Sequence, residues 1–114
     1  MKGQDRVLEL VVFKTLSGVK REEFLEKNGP VSMWISEQPG FISRDLSYDA
    51  EGNRWVDVLW WRTMDEALAA SERAVHSDTC SPFFALIDMD DMLMLHGEAA
   101  IPRVEPAVAS ARAR

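Results

Sequence analysis

Asp57 is the residue whose type and position most demand a chemical reason. It stands in the run Arg54-Trp55-Val56-Asp57-Val58-Leu59-Trp60-Trp61. A carboxylate in the middle of an apolar strand must be paired, hydrogen-bonded or wet. As a pocket group it can take a proton from a bound substrate, acting as a general base. As a structural group it pairs with Arg44 or Arg54. The sequence leaves both readings open. Glu9 raises the same question in the apolar run of residues 7–13, where it is expected to sit near the sheet end and reach solvent.

His76, Asp78 and Cys80 lie close together in sequence. His76 is a candidate proton shuttle, because imidazole titrates near neutral pH. A histidine at a helix C-terminus is also favoured by the helix dipole alone. A thiol nucleophile at Cys80 needs a base and a group to orient it. No such third group is evident, and a small buried cysteine is the ordinary case. His96 closes the last apolar run and is expected at the surface or an interface.

The chain carries four tryptophans: Trp34, Trp55, Trp60 and Trp61. Trp55 and Trp60 read as core. Trp34 and Trp61 read equally as core or as the walls of a flat pocket for a planar apolar ligand. Ser71 and Phe83 complete the expected substrate contacts. Asp88, Asp90 and Asp91 form an acidic stretch without the Gly and terminal Glu of a calcium loop. It is expected to be a solvated turn. The chain has no Gly-rich phosphate loop, CxxC, HExxH or GxSxG. That argues against nucleotide binding, structural zinc and serine hydrolysis.

The elements that must hold these residues follow from periodicity. Residues 7–13 read as a central strand. Residues 20–37 carry Phe24, Leu25, Asn28, Val31, Trp34 and Ile35 at helical spacing. Gly29-Pro30 interrupts them, which predicts a kink or two short helices. Gln38-Pro39-Gly40 is a stop. Residues 41–48 and 54–62 read as a hairpin joined through Asp49-Ala50-Glu51-Gly52-Asn53. Thr63 and Glu66 form a capping box opening a second helix. Its expected buried stripe is Met64, Ala67, Leu68, Ser71, Ala74 and Val75. Ser81-Pro82 starts a short turn over residues 83–87, and residues 92–98 make the last strand. The order β-α-β-β-α-β is the ferredoxin-like α+β signature over residues 1–98. Residues 99–114, with Arg103, Arg112 and Arg114, read as a solvated tail or an arm lying on a neighbour.

The 114 residues suit one domain, and 46% of them are apolar. A net charge of −6 argues against nucleic acid and anionic membrane surfaces. The start of the chain lacks the apolar region of a signal peptide, and no run approaches the ~20 residues of a membrane span. A single cysteine rules out an internal disulfide and suits the cytoplasm. Both faces of three strands are mainly apolar: Leu8, Leu10 and Val12 on one, Val7, Val11 and Phe13 on the other. Two helices cover only one face, so the second is expected to pair with the same face of another copy.

Gln38-Pro39-Gly40-Phe41, and Trp61-Arg62-Thr63 followed by Glu66-Ala67, resemble the dimeric α/β-barrel superfamily, and within it the antibiotic-biosynthesis-monooxygenase-like domains. The likeness spans about residues 5–98. It implies a sheet-to-sheet homodimer and a pocket between helices and sheet. Trp61 matches the tryptophan that ends the third strand. This would turn Trp55, Asp57, Leu59 and Trp61 toward the helices, and Val56, Val58 and Trp60 into the barrel. Two positions depart from the pattern: Leu59 replaces a common Glu and Ser71 a common His. Haem-degrading members need an Asn in the first strand, which residues 8–13 lack. The resemblance implies a cofactor-independent oxygenase acting on a planar aromatic or enolisable substrate. Asp57 or His76 would take the proton, and Trp34, Trp61, Ser71 and Phe83 would touch the substrate. A non-catalytic module binding a metabolite or a protein partner is the alternative.

Overall fold

The computed structural model describes residues 6–108. Its elements are β1 (Val7–Thr15), α1 (Arg21–Ser36), β2 (Phe41–Asp49), β3 (Arg54–Trp61), α2 (Met64–Val75), α3 (Ser81–Phe84) and β4 (Ile87–Glu98). The strands form one antiparallel sheet in the order β2-β3-β1-β4. This is the expected ferredoxin-like α+β arrangement, with α3 added between α2 and β4. No described helix is long and apolar enough to cross a membrane.

Register decides which side chains meet. Glu9 pairs with Leu59 on one side and His96 on the other, and Phe13 with Trp55 and Met92. Side chains alternate along a strand, so paired residues share a face. Val7, Glu9, Val11 and Phe13 therefore lie on one side with Trp55, Asp57, Leu59 and Trp61, and with Met92, Met94 and His96. Burial marks this as the helix-covered face: β3 alternates strictly between buried and half-buried positions, the buried ones being Trp55, Asp57, Leu59 and Trp61. Phe24 of α1 stacks on Phe83 at 4.7 Å between centroids and meets Trp55 at 4.7 Å. These aromatic contacts clamp α1 and α3 to the sheet. Ala67 and Ala70 of α2 pack with Val7, Leu59 and Trp61 in a second cluster.

Three expectations are narrowed or changed. Of the expected kink or two short helices, the two helices are excluded: α1 is one helix with Pro30 inside it. Gly29 and Pro30 are exposed, so the carbonyl that loses its Pro30 partner faces water, while buried Phe24 and Val31 anchor both halves. The buried stripe of α2 is rotated: Ala70 is buried, whereas Leu68 and Val75 are exposed. The small alanines let the helix approach the sheet closely. The acidic stretch is strand rather than turn. β4 begins at Ile87, and the register shift between Phe13 and Thr15 absorbs Asp88, Asp90 and Asp91 as a bulge. Lys14 and Arg54 lie 3.7 and 3.6 Å from Asp91. Among the described residues no group of three or more His, Cys, Asp or Glu is placed to hold a metal ion.

Thr63 caps α2 by accepting from the Glu66 backbone N–H at 3.1 Å. Its hydroxyl also lies 3.1 Å from Glu66 Oε1. That carboxylate lies against Gly40, which has φ +85° and would bring a Cβ within 2.7 Å of the Glu66 Cβ. Gly40→Ala therefore combines a left-handed backbone penalty with overlap, a loss of about 2 kcal/mol or more. Chemical denaturation should show a lower midpoint with an unchanged slope.

On the opposite face Leu8, Leu10, Val12, Val56, Val58 and Trp60 are half-buried. Leu93 and Leu95 are 54% and 41% exposed. The Arg6 guanidinium sits 4.3 Å above the Trp60 ring and donates to the Ile101 carbonyl at 3.3 Å. Residues 100–108 are exposed. Arg112 and Arg114 of the tail lie outside the described residues.

Candidate functional site

A cavity of about 250 Å³ lies between the helices and the sheet. It exceeds the roughly 150 Å³ that accommodates a benzene ring. The sheet contributes Glu9, Val11, Asp57, Leu59 and Trp61; α1 contributes Val31, Trp34 and Ile35; α2 contributes Ala70, Ser71 and Ala74. Cys80, Phe83 and Phe84 line the α3 end. Val75, Met89, Met92 and Met94 both line the cavity and are exposed, which marks them as its mouth. Methionine thioethers adapt to flat rings and suit such a rim. The lining is overwhelmingly apolar, so its few polar groups set its chemistry.

The first polar pair is Arg44 with Asp57. Arg44 Nε donates to Asp57 Oδ1 at 2.9 Å and Nη2 to Oδ2 at 2.8 Å. The side chains are only 7% and 9% exposed. This two-pronged geometry is the strong form of an ion pair. Arg44 Nη1 also donates to Ser32 Oγ at 3.1 Å, tying the fork to α1. Both Asp57 oxygens are thus engaged.

The second group is Glu9, which is buried rather than reaching solvent. Trp61 Nε1 donates to its Oε1 at 3.0 Å. His96 Nε2 lies 3.5 Å from the same oxygen. Burial pushes the Glu9 carboxyl above its ordinary range. The His96 charge and the Trp61 hydrogen bond oppose this, and the nearby Asp57 charge adds to it. A carboxyl with a raised pKa in an apolar pocket holds a proton more readily than an ordinary glutamate, which suits it to taking one from a bound substrate and returning it.

Of the residues expected to form a site, Asp57, Trp34, Trp61, Ser71 and Phe83 line one cavity. His76 does not. It caps α2, its side chain is 75% exposed, and Nε2 lies 3.4 Å from Glu72. The last turn of α2 carries it into solvent, away from the sheet. His96, expected at the surface or an interface, packs behind Glu9 with 15% of its side chain exposed. Cys80 is fully buried and its thiol is pushed up by burial, so it is a poor nucleophile. Glu9 and His96 are both singled out in the sequence but expected at solvent, the surface or an interface rather than together at the cavity. Their link depends on the β1–β4 register, and the two residues stand at opposite ends of the chain.

No protein-family model matches this sequence, and no curated protein matches it. Solved structures do. A Bordetella bronchiseptica protein, provisionally named an antibiotic biosynthesis monooxygenase, superposes with a TM-score of 0.71 at 14% identity, covering 86% of this chain and all of that one. SnoaB, a cofactor-independent oxygenase from Streptomyces nogalater, gives 0.60 at 21% identity, over 90% of this chain and 99% of its own. The ActVA-Orf6 monooxygenase of Streptomyces coelicolor, bound to nanaomycin D, gives 0.62 at 20%, over 89% and 92%. The fold is that of antibiotic-biosynthesis-monooxygenase-like domains.

Proposed function

We propose that this protein is a cofactor-independent oxygenase acting on a planar, enolisable aromatic substrate. The observation that carries this reading is Glu9: a buried carboxyl, held by Trp61, in the floor of an aromatic-lined cavity. Trp34, Trp61 and Phe83 stack against the ligand, and Ser71 offers it a hydroxyl. Glu9 takes a proton from a CH₂ activated by a carbonyl conjugated to it through the aromatic rings. The resulting carbanion gives its electrons to O₂, and the peroxide anion takes the proton back. Loss of the second C–H proton breaks the O–O bond, forming a carbonyl and releasing water. The sum is R₂CH₂ + O₂ → R₂C=O + H₂O. The substrate supplies the electrons, and the chain supplies a base, orientation and a dry pocket. Asp57 holds Arg44 and the polar end of the cavity in place. His76 has no part in this scheme.

Dithranol, a planar anthrone with such a CH₂, is a suitable probe. Oxygen consumption above the spontaneous rate, abolished by excess nanaomycin D, supports the oxygenase. Saturable nanaomycin D binding without oxygen uptake supports the second reading, a non-catalytic metabolite-binding module. Leu59 and Ser71, standing where related domains often carry Glu and His, favour that second reading.

The apolar second face of the sheet supports a homodimer formed face to face. Light scattering should give about twice the 12.9 kDa chain mass. Val58→Asp, which places a charge at the centre of that face, should give the monomer mass. A wild-type monomer would rule this assembly out. The lone buried Cys80 suits a reducing cytoplasm.

A further inference from the structure

We propose that His96 is a positioning residue for Glu9, sharing the proton that Glu9 takes from the substrate and keeping the carboxylate aimed into the cavity. This rests on the reading of Glu9 as the proton acceptor.

The geometry supports it in three ways. Glu9 of β1 and His96 of β4 are direct cross-strand partners, so their side chains leave the sheet on the same face. His96 Nε2 approaches Glu9 Oε1 at 3.5 Å, the oxygen that also accepts from Trp61. Glu9 and Trp61 line the cavity and His96 does not. The imidazole therefore backs the carboxylate from outside the cavity, while the indole holds it from within.

His96 Nε2 is also a buried nitrogen without a well-aligned hydrogen bond. Leaving such an atom unsatisfied carries a desolvation cost with no bond to offset it. The arrangement is accounted for if that nitrogen and Glu9 exchange a proton, since a short shift of either side chain closes the bond. β4 is an edge strand, and the ring is partly exposed, so it can equilibrate with water. The step balances. The substrate C–H proton passes to Glu9 and on to His96 Nε2, and it returns by the same path to the peroxide anion. The other titratable groups around the cavity are Asp57 on β3, held by Arg44 of β2, and Cys80 at the start of α3. α1 and α2 place none there, so Glu9 has His96 as its only histidine partner in this set.

The test uses the protein without substrate. The ¹⁵N–¹H shift of the Trp61 indole, assigned by its loss in Trp61→Phe, is followed against pH. The curve should bend twice in the wild type, once for each member of the pair. In His96→Gln one bend should vanish and the other move to higher pH, because the positive charge that favours ionised Glu9 is gone. An unchanged curve would overturn the proposal. If His96→Gln does not fold, the His96 Cε1–H signal of the wild type and of Glu9→Gln decides the matter. A Glu9-linked step must be present in the first and absent in the second, and its absence from both refutes the pair. With dithranol, His96→Gln should shift the pH profile of kcat while leaving KM within about twofold. A wild type inactive on dithranol would count against the oxygenase reading, and the titration would still decide the role of His96.

Discussion

Glu9→Gln is expected to lower oxygen uptake with dithranol by about 10²–10⁴-fold, the usual contribution of a positioned general base. Gln keeps the size of the side chain and can still accept from Trp61 Nε1, so KM should change little. The same substitution should raise stability at neutral pH. The folded state holds the Glu9 proton more tightly than the unfolded chain, because burial raises its pKa. Stability from this group is therefore fully present below the ordinary carboxyl range and is lost as pH rises through the raised value. Gln carries no such penalty. The Tm advantage of Glu9→Gln should be clear at pH 7 and vanish when both proteins are measured below the usual glutamate range. A variant that lost activity and stability together at pH 7 would mean that Glu9 is a structural anchor and not the base. Loss of function with gain of stability is the mark of a group held at energetic cost for its chemistry.

Arg44→Met should be the most destabilising single change in the site. It leaves Asp57 buried without its fork partner, at a cost of about 3–5 kcal/mol. Single domains of this size are stable by only about 5–15 kcal/mol, so this is a large share of the total. The double variant Arg44→Met/Asp57→Leu removes both charges and should recover most of the loss. A double-mutant cycle by urea unfolding measures the coupling directly. Additive losses would show that the pair is not energetically coupled despite its 2.8 Å contact. The cycle also separates two roles for Asp57. If the double variant retains oxygen uptake, Asp57 is scaffold. If uptake collapses in Asp57→Asn while nanaomycin D still binds, Asp57 takes part in proton transfer alongside Glu9.

Much of this fold was legible from local patterning. The alternation along residues 54–61 assigned Trp55, Asp57, Leu59 and Trp61 to one face and Val56, Val58 and Trp60 to the other, and the burial of β3 follows it. The Thr63 cap, the stop at Gly40 and the β-α-β-β-α-β order are also short-range properties. They depend on backbone geometry within a few residues, which a sequence displays directly. Five of the six expected site residues line one cavity: helical spacing placed Trp34 and Ser71 on the inner stripes of their helices, and the family resemblance turned Asp57 and Trp61 toward them, whereas Phe83 had been given no face.

What the sequence could not display was register between distant strands and the rotation of each helix. Asp57 had two possible arginine partners: strand alternation puts Arg54 on the opposite face, and the β2–β3 pairing brings Arg44 onto the face of Asp57. His76 and Cys80 are neighbours in the chain, yet the last turn of α2 sends one into water and the next segment buries the other. Glu9 and His96 lie far apart in the chain and become cross-strand partners through the β1–β4 ladder. A strand pairing fixes both of its partners at once, and a shift of one residue would put every side chain on the opposite face. That choice is made by the packing of the whole sheet against Phe24, Ala67 and Phe83. The order of the elements and the faces of β3 were therefore set by local sequence, whereas the rotation of α2 and the meeting of Glu9, Trp61 and His96 were decided by tertiary structure.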